Sequence, residues 1–408
     1  MRRMIIFDDD RGRFGPMTDL RASFELRTGM LTTARRLAAH RPKTLAAYWV
    51  PTRLRAMVAE RADAPVNEFP TDDEVLYLVN GRWSLPDAKL TPEPGQALVE
   101  AETGDVIAAV MRRSDAQYFL ETGELHERIE RIAHTERVLY RHPWDILSLA
   151  WKIVTRDILE TRMLDARVPA TTVNSVGDHP IELHVTAKVF PGVVFDATHG
   201  PIVVQERAVI RPNAVLCGPC AVGPDSTVID RALIKANTVI GPNCKVGGEV
   251  GATIFQGCAN KAHDGHLGDS WVGKWVNFGA GTTNSNLLNT YGEVPMRLEP
   301  DGPRQRTGLT FLGAIVGDHV KFAINTRIMT GTVLGTGAMI ASSTPPPAYT
   351  KRFAWITDEG ERTYRFEKFT DVMHAVMARR RETPGEAYIA ALRDLYDRTV
   401  SNPSHAAG

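Results

Sequence analysis

Between Ile202 and Glu249, aliphatic residues fall at every sixth position: Val204, Ile210, Leu216, Val222, Val228, Ile234, Ile240 and Val246. From Ile210 onward a mostly small residue stands two places before each one: Ala208, Ala214, Cys220, Ser226, Ala232, Thr238 and Cys244. A period of six suits neither a helix face nor a heptad. It predicts a three-sided parallel β-solenoid, with one hexad per flat face and the aliphatic residue turned inward. The small residue fills the corner, and Gly or Asn supplies the turn dihedrals, as at Gly223, Gly241 and Gly247. Stacked coils would then pair their strands about 4.8 Å apart. A looser version begins at Leu183, Val189 and Phe195, and the ladder resumes at Val272 and Phe278 and again from Val316 to Ile340. The stretch Gly248 to Asp269 reads as a departure from the repeat, which is where chemistry is expected to be grafted.

Upstream the pattern changes. Met4–Phe7, Thr44–Val50 and Glu74–Val79 read as strands, and the segments near Met30–Ala39 and Leu54–Ala62 as helices. This alternation predicts an α/β domain with a mostly parallel sheet and ligands at the carboxyl ends of its strands. Glu121 to Arg137 is charged and helix-prone. Pro143 and Asp145 open a further helix, expected to run to about Leu164 and to join the two halves. Pro345-Pro-Pro347 should stop the solenoid. Phe366 to Thr399 is helix-prone and is expected to pack as a cap or as a contact between copies. The expected domains are therefore residues 1–165, 181–345 and 346–408.

Composition narrows the function. Lys and Arg number 48, as do Asp and Glu, so no electrostatic attraction for nucleic acid or an anionic membrane is expected. No apolar run reaches membrane-spanning length. Four cysteines and no secretion signal point to a reducing, cytoplasmic setting. Cys217 and Cys220 should face opposite ways, because Cys220 is at an inward position and Cys217 follows a core residue.

The chemical stretch is Asn260-Lys261-Ala-His263-Asp264-Gly265-His266-Leu-Gly-Asp269, followed by Asn277-Phe-Gly-Ala-Gly281 and Asn284-Ser-Asn286. With the hexad ladder, it resembles the left-handed β-helix acyltransferase half of bifunctional UDP-N-acetylglucosamine pyrophosphorylase/glucosamine-1-phosphate N-acetyltransferases, in an alternative bacterial branch. The resemblance implies a left-handed hand for the solenoid. It also implies His263 as general base, His266 and Asn286 as contacts to the acceptor sugar, and acetyl-CoA along the last coils near Ala341 and Ser342; from their chemistry, Lys261 is expected to pair with the sugar phosphate and Asp264 to orient the His263 ring or hold sugar hydroxyls. A homotrimer is implied as well. The chemistry is consistent: an amine attacks a thioester only when neutral, and a group titrating near neutrality can take its proton. Two positions depart from the family pattern. Gly251 stands where a phosphate-binding Lys is usual, and Ile324 where a Ser contacts the acetyl group.

The N-terminal segment more faintly resembles sugar-1-phosphate nucleotidyltransferases. That likeness implies a nucleotide or nucleotide sugar held by Arg13, Arg21 and Asn80, with Mg²⁺ on carboxylates. However, Arg82 follows Asn80-Gly81 where the family has a metal-binding Asp, leaving Asp8 and Asp9 as substitutes. The primary expectation is a sugar-phosphate N-acetyltransferase fused to a nucleotidyltransferase-like domain. The alternative is a nucleotide-sugar-binding regulatory protein on the same scaffold. A zinc site built from His263, His266 and His319 is a further reading of the same histidines. The long loop between Leu287 and Thr310 is expected to be extruded from a solenoid corner, either covering a substrate groove or standing as a disordered corner loop.

Overall fold

The structure is a computed structural model that describes residues 3–41, 44–70, 74–161, 166–167 and 174–401. The N-terminal part is a six-stranded sheet of β1 (Arg3–Phe7), β2 (Leu45–Trp49), β3 (Val75–Asn80), β4 (Gln96–Glu100), β5 (Val106–Arg112) and β6 (Glu130–His134). Their order is β2-β1-β3-β5-β4-β6. The sheet is mixed: β1 runs parallel to β2 and β3, whereas β5 is antiparallel to both β3 and β4. Helices α1 (Thr33–His40), α2 (Thr52–Ala59), α3 (Arg113–Thr122) and α4 (Pro143–Glu160) complete it. The charged Glu121–Arg137 stretch is not a helix. Its centre is β6, an edge strand with a mostly exposed charged sequence, the composition that discourages further strand pairing. At the start of α4, Asp145 accepts the backbone N–H groups of Arg141 and His142, which satisfies donors the helix leaves open.

Residues 174–357 form the left-handed three-sided β-helix expected from the hexads. Each coil pairs in parallel with the next, as in Ile202–Val204 on Cys220–Val222 on Thr238–Ile240. The ladder residues and the small residues before them form one buried core. Cys220 is inside and Cys217 partly exposed, and all four cysteines are free. The turn glycines hold a surprise. Gly223 and Gly241 do not carry a positive φ; the left-handed residues are Asp225 and Asn243, two positions on. Glycine is needed there for close approach, since a Cβ on Gly241 would lie 2.4 Å from the Phe255 carbonyl oxygen of the next coil. Arg207, Arg231, Trp275 and His319 adopt the same left-handed turn, held there by the stacked coils on either side.

The segment from Gly248 to Asp269 does not leave the solenoid. Val250 pairs with Leu267, Phe255 with Val272, and Val246 with Lys261. Two coil sides are merely shorter, with inward residues four and five apart at Val246, Val250 and Phe255. Inward positions also go to polar residues: Lys261 opposite Val246, and Asn284 opposite Ile328.

One solenoid face, a ten-stranded sheet, is covered by the N-terminal part. Its outward residues Val203, Ala221, Val239, Ile254, Trp271 and Ile315 share a core with Phe14, Met17, Leu26 and α4. The Leu287–Thr310 loop belongs to this seam. Val294, Met296 and Leu298 are buried in the same core, and Pro295–Met296 pairs antiparallel with Gln305–Arg306. The loop is thus packed within its own chain, because its apolar residues are more favourably placed there than over an open groove. Helices α5 (Phe366–Ala378) and α6 (Glu386–Val400) return to the N-terminal part, where Phe369, Met373, Leu392 and Leu395 share a core with Leu54, Met57 and Tyr48. They pack at once on the N-terminal part and on the last solenoid coils, where Phe353, Trp355 and Met339 join the same core. The final expected residues, 402–408, lie outside the described ones.

Candidate functional site

Lys261 faces inward and His263 turns the corner. His263 and Asp264 are exposed, at the edge between two solenoid faces. One face runs through Asn260, Asn277, Lys321 and Met339 in register. Three residues beyond each, at the same edge, stand His263, Ala280, Ile324 and Ser342. The edge from His263 to Ser342 therefore covers three coil steps, roughly 14 Å at the usual strand spacing. A groove of about 890 Å³ covers the upper part of it, at His263, Asp264, Gly281, Ile324 and Asn325, and continues toward the earlier coils at Arg231 and Asn213, without reaching Ala341 or Ser342. No hydrogen bond joins Asp264 to the His263 ring among the described residues, so Asp264 does not orient that ring here. Ala341 is exposed at the foot of the edge, while the Ser342 hydroxyl donates to the Thr344 carbonyl.

The two polar ladder residues shape this edge from inside. Lys261 is 1% exposed, and its ammonium donates to the carbonyls of His263 (2.6 Å), Asp264 (3.2 Å) and Gly247 (3.4 Å). Burial pushes its pKa down to about 8, with only Asp264 opposing. The expectation that Lys261 meets a substrate phosphate is therefore corrected: its cation is spent on the backbone that presents His263. Asn284 accepts the N–H of Gly268 and donates to the Gly268 carbonyl and the Ser270 hydroxyl, fixing the strand after His266.

Beside the edge lies the solenoid's open face. Glu249 pairs in register with His266, and Gly251 with Gly268. The paired glycines leave a patch of bare backbone. A Cβ on Gly268 would lie 2.7 Å from His266 Nε2 and 2.8 Å from Asn286 Nδ2, so these two side chains bound the patch. Lys235, one coil up, stacks against Gly251 and pairs with Glu249, whose carboxylate is also 3.4 Å from His266 Nδ1. Asn286 donates to Asp269 at 2.6 Å, and burial raises the Asp269 pKa despite that bond. Lys235, Glu249 and Asp269 were not singled out from sequence. The signal was available for two of them, because Lys235 and Glu249 flank the inward Ile234 and Val250 and so must project from the face that carries His266.

His319 does not join the other histidines. It is 3% exposed, hydrogen-bonds Tyr388 at 2.7 Å under α6, and has its pKa pushed well down by burial and by Lys321 and Arg21. No group of three or more potential metal ligands gathers among the described residues.

At the carboxyl ends of β1 and β3, Asp9 lies against Arg82. The Asp9 carboxylate receives Arg82 Nε at 2.8 Å and Nη2 at 2.5 Å, with Asn80 Nδ2 at 2.9 Å. Arg82 also reaches Asp105 at 2.6 Å, and Arg11 reaches the same carboxylate. Asp8 accepts the backbone N–H groups of Asp10 and Ser23, and burial raises its pKa. These carboxylates are committed to guanidinium groups and backbone donors, so the set does not fit a Mg²⁺ ion. Asp9 and Asn67 line a neighbouring cavity of about 810 Å³. Asn80 is buried behind Asp9, and Arg13 is exposed nearby in sequence. Arg21 is elsewhere: it is 3% exposed and ion-paired to Asp318 of the solenoid, so it bonds the two parts together, apart from Asn80 and the Asp9 cavity.

Residues 4–162 match the model of a sugar nucleotidyl transferase family. A bifunctional sugar-1-phosphate nucleotidylyltransferase/acetyltransferase of Sulfurisphaera tokodaii is 35% identical over 92 residues, 22% of either chain. The bifunctional protein GlmU of Methanococcus maripaludis is 28% identical over 227 residues, 55% of this chain and 47% of the relative. The chain thus spans from about a fifth to about half the length of such curated relatives. Among solved structures, the polysialic acid O-acetyltransferase OatWY covers 47% of this chain and 85% of its own, at 14% identity and a TM-score of 0.20, too low to bear on function. Residues 4–162 are thus similar to sugar nucleotidyl transferases, and stretches of the chain are similar to bifunctional proteins of the GlmU kind.

Proposed function

We propose that the solenoid is an acetyltransferase that uses acetyl-CoA to acetylate the amine of an amino sugar phosphate, with His263 as general base. The observation that carries this is the exposure of His263 and Asp264 on a continuous groove, beside a face where His266, Asn286 and Lys235 surround bare backbone. The names of the relatives, which couple sugar-1-phosphate nucleotidyl transfer to acetyl transfer, support the same chemistry.

In this reading His263 takes a proton from the acceptor ammonium or from the amine as it attacks the thioester carbonyl. The tetrahedral adduct collapses to the amide and expels the CoA thiolate. Asp264, His266 and Asn286 hold the sugar hydroxyls. Lys235 meets the phosphate, taking the part of the lysine that Gly251 lacks. CoA lies down the edge toward Ala341 and Ser342. Ile324 lines the groove at 69% exposure, an apolar side chain that a second copy in a homotrimer would cover.

The N-terminal domain favours a second reading for its own site. With Arg82 closing Asp9 and Asp105, it binds a nucleotide sugar without metal-dependent transfer, near Asn80 and Arg13.

A thiol-release assay with acetyl-CoA and a panel of amino sugar phosphates tests the first reading. Release is expected with at least one phosphorylated amino sugar and not with its N-acetylated form. Acceptor-independent release, or none with any amine, would defeat it. Pyrophosphate production from UTP and a sugar 1-phosphate in the same preparation would defeat the second.

A further inference from the structure

The turn that presents His263 is built unlike three others on its edge. In those, the third residue past the inward one is left-handed: Asn213, Arg231 and Asn325. Each donates its backbone N–H to the coil before, to the carbonyls of Pro191, Pro212 and Ala280. At the His263 turn the left-handed residue is Gly265, one place later. Among the described residues, none of His263, Asp264 and Gly265 donates a backbone N–H to another coil, and no backbone N–H reaches the His263 or Asp264 carbonyl. The coil before offers little to stack on, since between the inward Val246 and Val250 its corner is only Gly247, Gly248 and Glu249. The two turns nonetheless lie close: a Cβ on Gly248 would be 2.9 Å from the His263 carbonyl oxygen.

One side chain takes the place of the missing bonds. The Lys261 ammonium donates to the carbonyls of His263 and Asp264 in its own turn and of Gly247 in the coil before. An ammonium has three N–H groups, and the three carbonyls use them all. Inside the solenoid its neighbours are apolar. Val246 pairs with it on one side, and Phe278 lies on the other, because Asn260 bridges Asn277. The Cys244 thiol on the coil before is neutral, since burial pushes its pKa up to about 12. Lys245, Glu249 and His266, on the adjoining strands, project outward. The following turn, Gly279 to Gly281, has no titratable group. Asp264 alone opposes the effect of burial on the amine.

We infer that Lys261 is a positioning residue for acetyl transfer: its ammonium holds the 263–265 turn so that the His263 imidazole stands in the groove. This rests on the reading of His263 as general base. The geometry is demanding, because a misplacement of about 1 Å can cost on the order of 10²-fold in rate. Burial brings the pKa of the amine down to about 8, so the ammonium is lost just above neutral pH. The neutral amine has two N–H groups for three carbonyls, and both are weaker donors. Turnover therefore falls as pH rises through about 8. Stability moves the other way, because folding lowers the pKa of this lysine and so favours its neutral form. The fall in turnover is thus not unfolding.

The test is thiol release at saturating acetyl-CoA and acceptor by wild type, Lys261→Met and Lys261→Gln, from about pH 6.5 to 9.5. Lys261→Met fills the same apolar space without a donor. It is expected to lower kcat roughly 10–100-fold, to leave the KM for acetyl-CoA within about twofold, and to lose the alkaline fall. Lys261→Gln keeps two N–H donors that do not titrate, and should recover part of kcat, again without the fall. A Lys261→Met enzyme with wild-type kcat, or one that keeps the alkaline fall, would overturn the inference. Crystal structures of wild type and Lys261→Met test the same claim without turnover. Residues 262–265 should shift by about 1 Å or more. A superposable turn would overturn the inference, even where no acceptor supports thiol release and the acetyltransferase reading has itself failed.

Discussion

Lys261 shows how a residue can be placed by one logic and read by another. The motif around it suggested a substrate contact, yet the fold puts its amine on the ladder, under three carbonyls at the corner that presents His263. The phase was legible: Phe255, Lys261 and Leu267 are six apart, as are Val272, Phe278 and Asn284. A rule that admits only aliphatic residues hides it. The placement has a measurable consequence. In the fold the amine titrates at about 8, and in the unfolded chain near 10.5. Between those values the unfolded state holds more protons, so stability rises as pH rises from about 8. Lys321, lowered to about 7, adds a rise that begins earlier. Urea unfolding from pH 7 to 9.5 should show wild-type stability increasing, and Lys261→Met should flatten part of that slope. An identical slope in the variant would mean that the amine is not buried as described.

At the level of elements, the sequence located β1–β3, α1, α2, the start of α4 and the hexads within a few residues, but it named nothing where β4, β5 and α3 stand, and β5 makes the sheet mixed where a mostly parallel one was expected. It failed where charge density masked an edge strand, at β6, and where partners distant in sequence decide the packing, as for the 287–310 loop. It also could not see that α1 and α4 are joined by a buried pair. Arg36 donates to Asp157 through Nε at 2.7 Å and Nη2 at 2.8 Å, and Asp157 accepts the N–H of Leu31 as well. Both side chains are almost fully buried. Asp157→Ala should cost about 3–5 kcal/mol, because it leaves the guanidinium buried without its anion, whereas Asp157→Ala combined with Arg36→Met should recover much of that. Denaturant unfolding of the two variants measures the difference. Equal losses would show that the pair is not the joint between these helices.

Across the whole molecule, the N-terminal domain sits on one face of the solenoid, and α5 and α6 clamp it there, leaving another face and its edge open. That open edge carries His263, and the open face beside it His266 and Asn286. The sequence named all three residues, and the structure sets His266 and Asn286 about Gly268 with His263 at the adjoining corner, because the hexad phase fixes which edge or face each one takes. Lys235 and Glu249 went unnamed although the same phase puts them on that face; they come from earlier coils, and only the stacking brings the Glu249 carboxylate to both Lys235 and His266. The sequence could not tell that Arg21 serves the seam between domains, since that depends on Asp318 arriving from far along the chain. The role of His263 as the base of an acetyl transfer is what most needs measuring. Steady-state thiol release by His263→Ala, compared with wild type at saturating acetyl-CoA and acceptor, is predicted to fall by roughly 10²–10⁴-fold with acetyl-CoA affinity unchanged. Turnover equal to wild type would contradict the account.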